Sequence, residues 1–120
     1  MELWGLNLIM MDLQNVSQTG KVVKYGFLIR FQAKAGKENE LEALMKNAVA
    51  HVRQEPGTIT WFAFRFGQSE FGVIDSFYDE QAREAHWEAG NKGLSQLGPL
   101  ILEESITINK VDFFAAKMQE

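Results

Sequence analysis

The sequence predicts an α+β fold, with elements in the order β-α-β-β-α-β and an antiparallel sheet carrying both helices on one face. Three observations carry that expectation. Residues 22–33 alternate as a strand does, residues 41–52 bear a helical apolar stripe, and residues 58–78 hold two aromatic and β-branched runs around a short turn, just before a second helical pattern begins.

Taken in order, residues 1–20 include an apolar patch at 3–11 without a basic leader or small-residue cleavage site, so no signal peptide is expected. The patch is also far short of the roughly 20 apolar residues that span a bilayer. Trp4, Leu6, Leu8 and Met10 alternate with other residues, which suits an edge strand, an arm on a partner subunit or a loosely held leader. In the run VVKYGFLIRFQA, Tyr25, Phe27, Ile29 and Phe31 share one face and Leu28, Arg30 and Gln32 the other. A turn at Ala35, Gly36 and Lys37 leads into a helix with Leu41, Leu44, Met45, Ala48, Val49 and Val52 as its stripe. Glu38 and Glu40 suit its positive end and Arg53 its negative end, and Pro56 with Gly57 stops it.

The second strand, ITWFAFRF, is apolar on both faces except for Arg65. Residues 67–70 turn it into a third, VIDSFY, so the two form a hairpin. With helices on one side only, the other face of such a sheet needs a cover, and a second copy packing sheet against sheet supplies it. Asp79 is placed to cap the next helix, with Glu80 in its first turn. On that helix Ala82, Ala85, His86 and Ala89 follow the spacing of a single buried face, with Arg83, Glu84 and Glu88 pointing elsewhere. Residues 90–105 suggest two short helical turns, divided at Gly98 and Pro99. Residues 106–117 read as the closing strand.

At 120 residues the chain fits one domain, placed at 21–120 with 1–20 as its extension. Its net charge of −4 and pI near 5.2, without a basic stripe, argue against nucleic acid as a partner. The absence of cysteine fits a reducing cytoplasm and removes thiolate chemistry and cysteine-ligated metals. The only histidines, His51 and His86, lie far apart, and no acidic loop clusters, so neither a metal site nor a cofactor is expected. Glycine-rich nucleotide loops and the serine-hydrolase elbow are also missing. His86, a titratable ring among alanines on a helix launched from a strand, is the leading candidate for chemistry.

The order of elements, the Glu55-Pro56-Gly57 turn, the aromatic run Trp61-Phe62-Ala63-Phe64-Arg65 and the helix start Asp79-x-x-Ala82-x-x-x-His86 together resemble the antibiotic biosynthesis monooxygenase domains. The resemblance runs from about residue 25 to 117 and implies a ferredoxin-like domain in a dimeric α+β barrel, a homodimer with a pocket between sheet and helices in each protomer. It also implies a cofactor-free monooxygenase acting on a small aromatic or quinol-type substrate; the alternative is a ligand-binding or stress-associated barrel protein without turnover. The haem-degrading branch fits less well, because Phe77 stands where that branch carries tryptophan and no histidine follows His86.

For such an oxygenase His86 is the expected base, with burial lowering its proton affinity and keeping it neutral near pH 7. Trp61, Phe77 and Tyr78 are the expected pocket walls. Arg65 is expected either to hold an anionic intermediate or to pair with Asp75 across the hairpin, whose register the sequence leaves open.

Overall fold

A computed structural model describes residues 21–119, and the expected N-terminal arm lies outside them. The elements are β1 (Tyr25–Gln32), α1 (Glu38–Val52), β2 (Thr58–Arg65), β3 (Glu70–Phe77), α2 (Glu80–Leu97) and β4 (Thr107–Asp112). They form one sheet in the order β2-β3-β1-β4, with every neighbouring pair antiparallel. The predicted ferredoxin-like α+β topology is therefore present. Helix α1 carries the chain from β1 past β3 to β2, and α2 carries it from β3 past β1 to β4. Two right-handed crossovers in one sheet place both helices on the same face.

Strand alternation decides what that face buries. Phe27 and Phe31 of β1 and Phe71, Val73, Asp75 and Phe77 of β3 are all buried, and Leu41 and Met45 of α1 close over part of this surface. The opposite face is apolar and open at β2: Phe62 is 59 % exposed, and Phe66 just past the strand is 50 % exposed. Phe64 lies across Gly72, where a Cβ would come within 2.5 Å of its ring, so the aromatic occupies the space a side chain would need.

Two boundaries and one buried face differ from the sequence reading, each for a physical reason. Helix α2 runs unbroken through Gly90 and Gly93 to Leu97, with Pro99 starting a short 3-10 turn at Gly98–Leu100. Two glycines weaken a helix by about 1 kcal/mol each, which the packing of Leu97 on the core offsets. Strand β4 stops at Asp112 rather than 117, because it pairs only with β1 and Asp112 is already opposite Tyr25, where β1 begins. The buried face of α2 is also rotated from the expected one. Arg83 is 5 % exposed, whereas Ala85 and Ala89 are exposed, so the inward stripe is Arg83, His86 and Trp87. An arginine's apolar stem and planar head cover aromatic surface that an alanine cannot reach.

Candidate functional site

Asp75 is the residue around which the site is built. Its register partner on β2 is Trp61, and it points to the helix side of the sheet. The β1–β3 ladder is broken there: pairing runs from Tyr25 opposite Phe77 to Leu28 opposite Ile74, and skips the two positions between. The Phe27 amide instead donates to Asp75 Oδ1 at 2.7 Å. A carboxylate thus takes the place of a ladder carbonyl, which satisfies a buried amide and fixes the side chain, itself only 1 % exposed.

Gly26 makes that break possible. A Cβ there would stand 2.3 Å from the Asp75 carbonyl oxygen and 2.7 Å from the Phe113 ring. Gly26→Ala is therefore expected to lower stability by about 1–3 kcal/mol. A urea midpoint unchanged from the parent would refute that expectation.

The second strand-to-helix connection delivers the imidazole. Asp79 Oδ1 accepts from the Ala82 amide at 2.8 Å, the predicted cap, and fixes where α2 starts. His86 follows two turns in, with Nε2 3.2 Å from Asp75 Oδ2. This is a charge contact outside good hydrogen-bond alignment, so Oδ2 keeps accepting capacity. On the other side of the ring, Nδ1 lies 2.5 Å from Glu55 Oε1. The Thr58 hydroxyl donates to the same oxygen at 3.0 Å. The imidazole is thus held from both nitrogens by carboxylates that come from different parts of the fold.

Electrostatics follow from that clamp. Burial works against the proton of His86, as expected, but the close contacts and charges of Asp75 and Glu55 outweigh it. The net shift is upward from the ordinary imidazole value of 6.5. The expectation of a ring kept neutral by burial is corrected accordingly: two carboxylates make it hold its proton more tightly.

Arg83 extends the arrangement. Its Nη1 lies 3.4 Å from the Gly26 carbonyl and 3.4 Å from the Val111 carbonyl. The Gly26 carbonyl belongs to the peptide group whose N–H is that of Phe27, the donor to Asp75. One peptide therefore stands between guanidinium and carboxylate with its dipole aligned to both, which strengthens each bond. The guanidinium also lies 5.2 Å from the Tyr25 ring centre and 5.7 Å from that of Phe27.

This cluster sits in the wall of a cavity of about 460 Å³ between the sheet and both helices. Apolar side chains from every layer enclose it, among them Phe27, Phe31, Trp61 and Trp87, and Asp75, His86 and Glu55 supply its polar inner end. Of the residues singled out in the sequence, the cavity brings together His86, Asp75 and Trp61. Phe77 lies behind the site, fully buried, with its ring 5.3 Å from that of His86. Tyr78, just past β3, is away from the cavity, with Lys21 Nζ 5.4 Å from its ring centre.

Arg65 does not pair with Asp75. Its register partner is Phe71, four residues from Asp75 and about 13 Å along the strand. Its guanidinium instead donates to the Gly67 and Gln68 carbonyls, and it borders a separate hollow of about 380 Å³ between α1 and β2. Glu55 and Arg83 were missed as site residues. Glu55 stood in the Glu55-Pro56-Gly57 turn that helped to carry the family resemblance, but nothing in its local sequence aims it at His86.

With this geometry in hand, the comparisons with known proteins are specific. The family model for antibiotic biosynthesis monooxygenase matches residues 25–90, more than half of the chain, with Glu55, Asp75 and His86 inside it. The chain belongs to the antibiotic biosynthesis monooxygenase family. Among solved structures, a Nitrosomonas europaea protein of unknown function is 34 % identical, with a TM-score of 0.75 over 82 % of this chain and 96 % of that one. Proposed antibiotic biosynthesis monooxygenases from Deinococcus radiodurans and Chloroflexus aurantiacus share the fold at 15 % and 13 % identity. Their TM-scores are 0.68 and 0.63, covering 80 % and 79 % of this chain and 98 % and 97 % of theirs. No protein of curated function matches. Among the described residues of this family member, no helix is long and apolar enough to cross a membrane.

Proposed function

We propose that the chain is a cofactor-independent monooxygenase for a small phenol or quinol-type substrate. The observation that carries this reading is the His86 imidazole, 13 % exposed and gripped by two carboxylates, at the inner end of a cavity walled mainly by apolar side chains. Molecular oxygen is a triplet and reacts slowly with closed-shell molecules, but an electron-rich phenolate supplies the electrons itself. The protein must then take one phenolic proton, hold the ring in a dry space and return a proton later.

Each requirement has a residue. Glu55 accepts from Nδ1–H and so makes Nε2 the proton acceptor, while Asp75 stabilises the imidazolium that forms. Raising the proton affinity of His86 brings it closer to that of a phenolate, which eases the transfer. Overall, one phenol and one O2 give one quinone and one water: one oxygen atom enters the ring, the other leaves as water, and the four electrons come from the substrate. Trp61 and Trp87 provide flat apolar walls for the ring.

The active unit in this reading is a homodimer in which each copy covers the other's exposed Phe62 and Phe66. Oxygen consumption measured with a panel of hydroquinones and naphthols tests the assignment. Uptake with at least one of them, with a quinone that carries one added oxygen atom as product, is the expected result. Thermal stabilisation by the same compounds without oxygen use would replace the enzyme by a binding protein.

A further inference from the structure

We infer that the cavity takes an aromatic acid, its hydroxyl at His86 and its carboxylate at the outer end between the two helices, which is lined by the exposed Lys92, Asn47, His51 and Gln96. The inference deepens the reading above and rests on its placement of a phenol at His86. It comes from how polarity is divided along the cavity. The only acids in the lining are Asp75 and Glu55, and both are committed to His86. Every other polar lining side chain, namely Asn47 and His51 of α1 and Lys92 and Gln96 of α2, can donate a hydrogen bond, and none is acidic. Lys92 forms no ion pair among the described residues.

Spacing sets the size of the ligand. Lys92 follows His86 by six residues, about 9 Å along α2 at 1.5 Å per residue. Two fused aromatic rings with a hydroxyl at one end and a carboxylate at the other bridge that distance. Past Trp87, α2 lines the cavity with small residues, Ala89, Gly90 and, just beyond Lys92, Gly93. A Cβ built at either glycine meets nothing within 4 Å, so α2 leaves open space on this side of the cavity. A cavity of about 460 Å³ is within the usual range for a ligand of this size. A carboxylate is the acceptor that suits a cation with further donors beside it, and it carries the charge that an acid-poor outer end does not repel.

Quenching of Trp61 and Trp87 fluorescence by 5-hydroxy-2-naphthoate and by its neutral methyl ester tests this on the full chain. The acid is expected to bind more tightly by up to about fivefold, the gain of an exposed ion pair. Lys92→Met should erase that preference and leave the ester's affinity unchanged. Gly90→Leu, which fills that open space, should weaken both. Equal affinity for acid and ester, a preference that survives Lys92→Met, or ligand binding undisturbed by Gly90→Leu would overturn the inference. Oxygen uptake with the same compounds is a separate readout. Acid preference without oxygen use removes the oxygenase and keeps the ligand class, whereas oxidation of 1-naphthol without acid preference does the reverse.

Discussion

His86→Ala is expected to reduce oxygen uptake by at least about a hundredfold, the lower end of what a positioned acid or base contributes. The substitution also leaves Asp75 and Glu55 facing one another across a void, so lost activity alone would be ambiguous. His86→Gln provides the control: its amide fills part of the space and donates to a carboxylate, yet it takes up no proton near neutral pH. A folded His86→Gln variant with activity near that of the parent would remove His86 from the mechanism. The pH profile separates base from filler further. Because both carboxylates raise the proton affinity of His86, kcat/KM should climb with pH through a midpoint above 6.5. Glu55→Gln removes one of those charges, so the climb should move to lower pH, and the imidazole resonances of His86 followed by NMR should move with it. A profile that stays in place would mean that the Glu55 contact has no part in setting the proton affinity.

How far the site was legible before any coordinates depends on which geometry each residue needed. Asp75 and Trp61 lie on strands, where alternation fixes which neighbours on the same strand share a face, and His86 follows a cap whose chemistry is local. Those placements need only short-range rules. Arg65 and Tyr78 failed for a register reason: Arg65 shares the face of Asp75 but sits at the far end of the hairpin, and Tyr78 lies beyond the end of β3. Phe77 is on the right strand and face, yet it is one step behind the ring it supports. Glu55 and Arg83 were hidden for different reasons. The approach of Glu55 to His86 spans 31 residues and depends on how α1 ends against α2, which no local pattern encodes. Arg83 was assigned outward because charge usually marks the wet side of a helix. Here its head caps carbonyls of β1 and β4, and its cation lies against two rings. The upward shift at His86 is a consequence of the same long-range contact. A helical wheel reports that the ring is enclosed, but not that two carboxylates meet it there.

The largest stability effect is expected at Asp75. Asp75→Ala leaves the Phe27 amide buried without its acceptor and takes one counter-charge from the imidazolium, a combination that should cost about 3–5 kcal/mol. Asp75→Asn keeps an oxygen for that amide and removes only the charge, so about 1 kcal/mol is expected, and the contrast between the two tells amide satisfaction from charge pairing. Arg83→Met should fall between them, because it removes the guanidinium that polarises the Gly26–Phe27 peptide while leaving the Asp75 bond in place. The sign of the pH dependence follows from the raised proton affinity of His86. Folding binds a proton that the unfolded chain releases near 6.5, so this stabilisation is present in full below that pH and is lost as pH rises through the folded-state value. The parent should therefore become easier to unfold with urea from about pH 6.5 upward, and Asp75→Asn should show a shallower fall over the same interval. A parent protein whose unfolding midpoint stays level across that window would mean that the carboxylate clamp does not hold the proton, and the assignment of His86 as the base would fail with it.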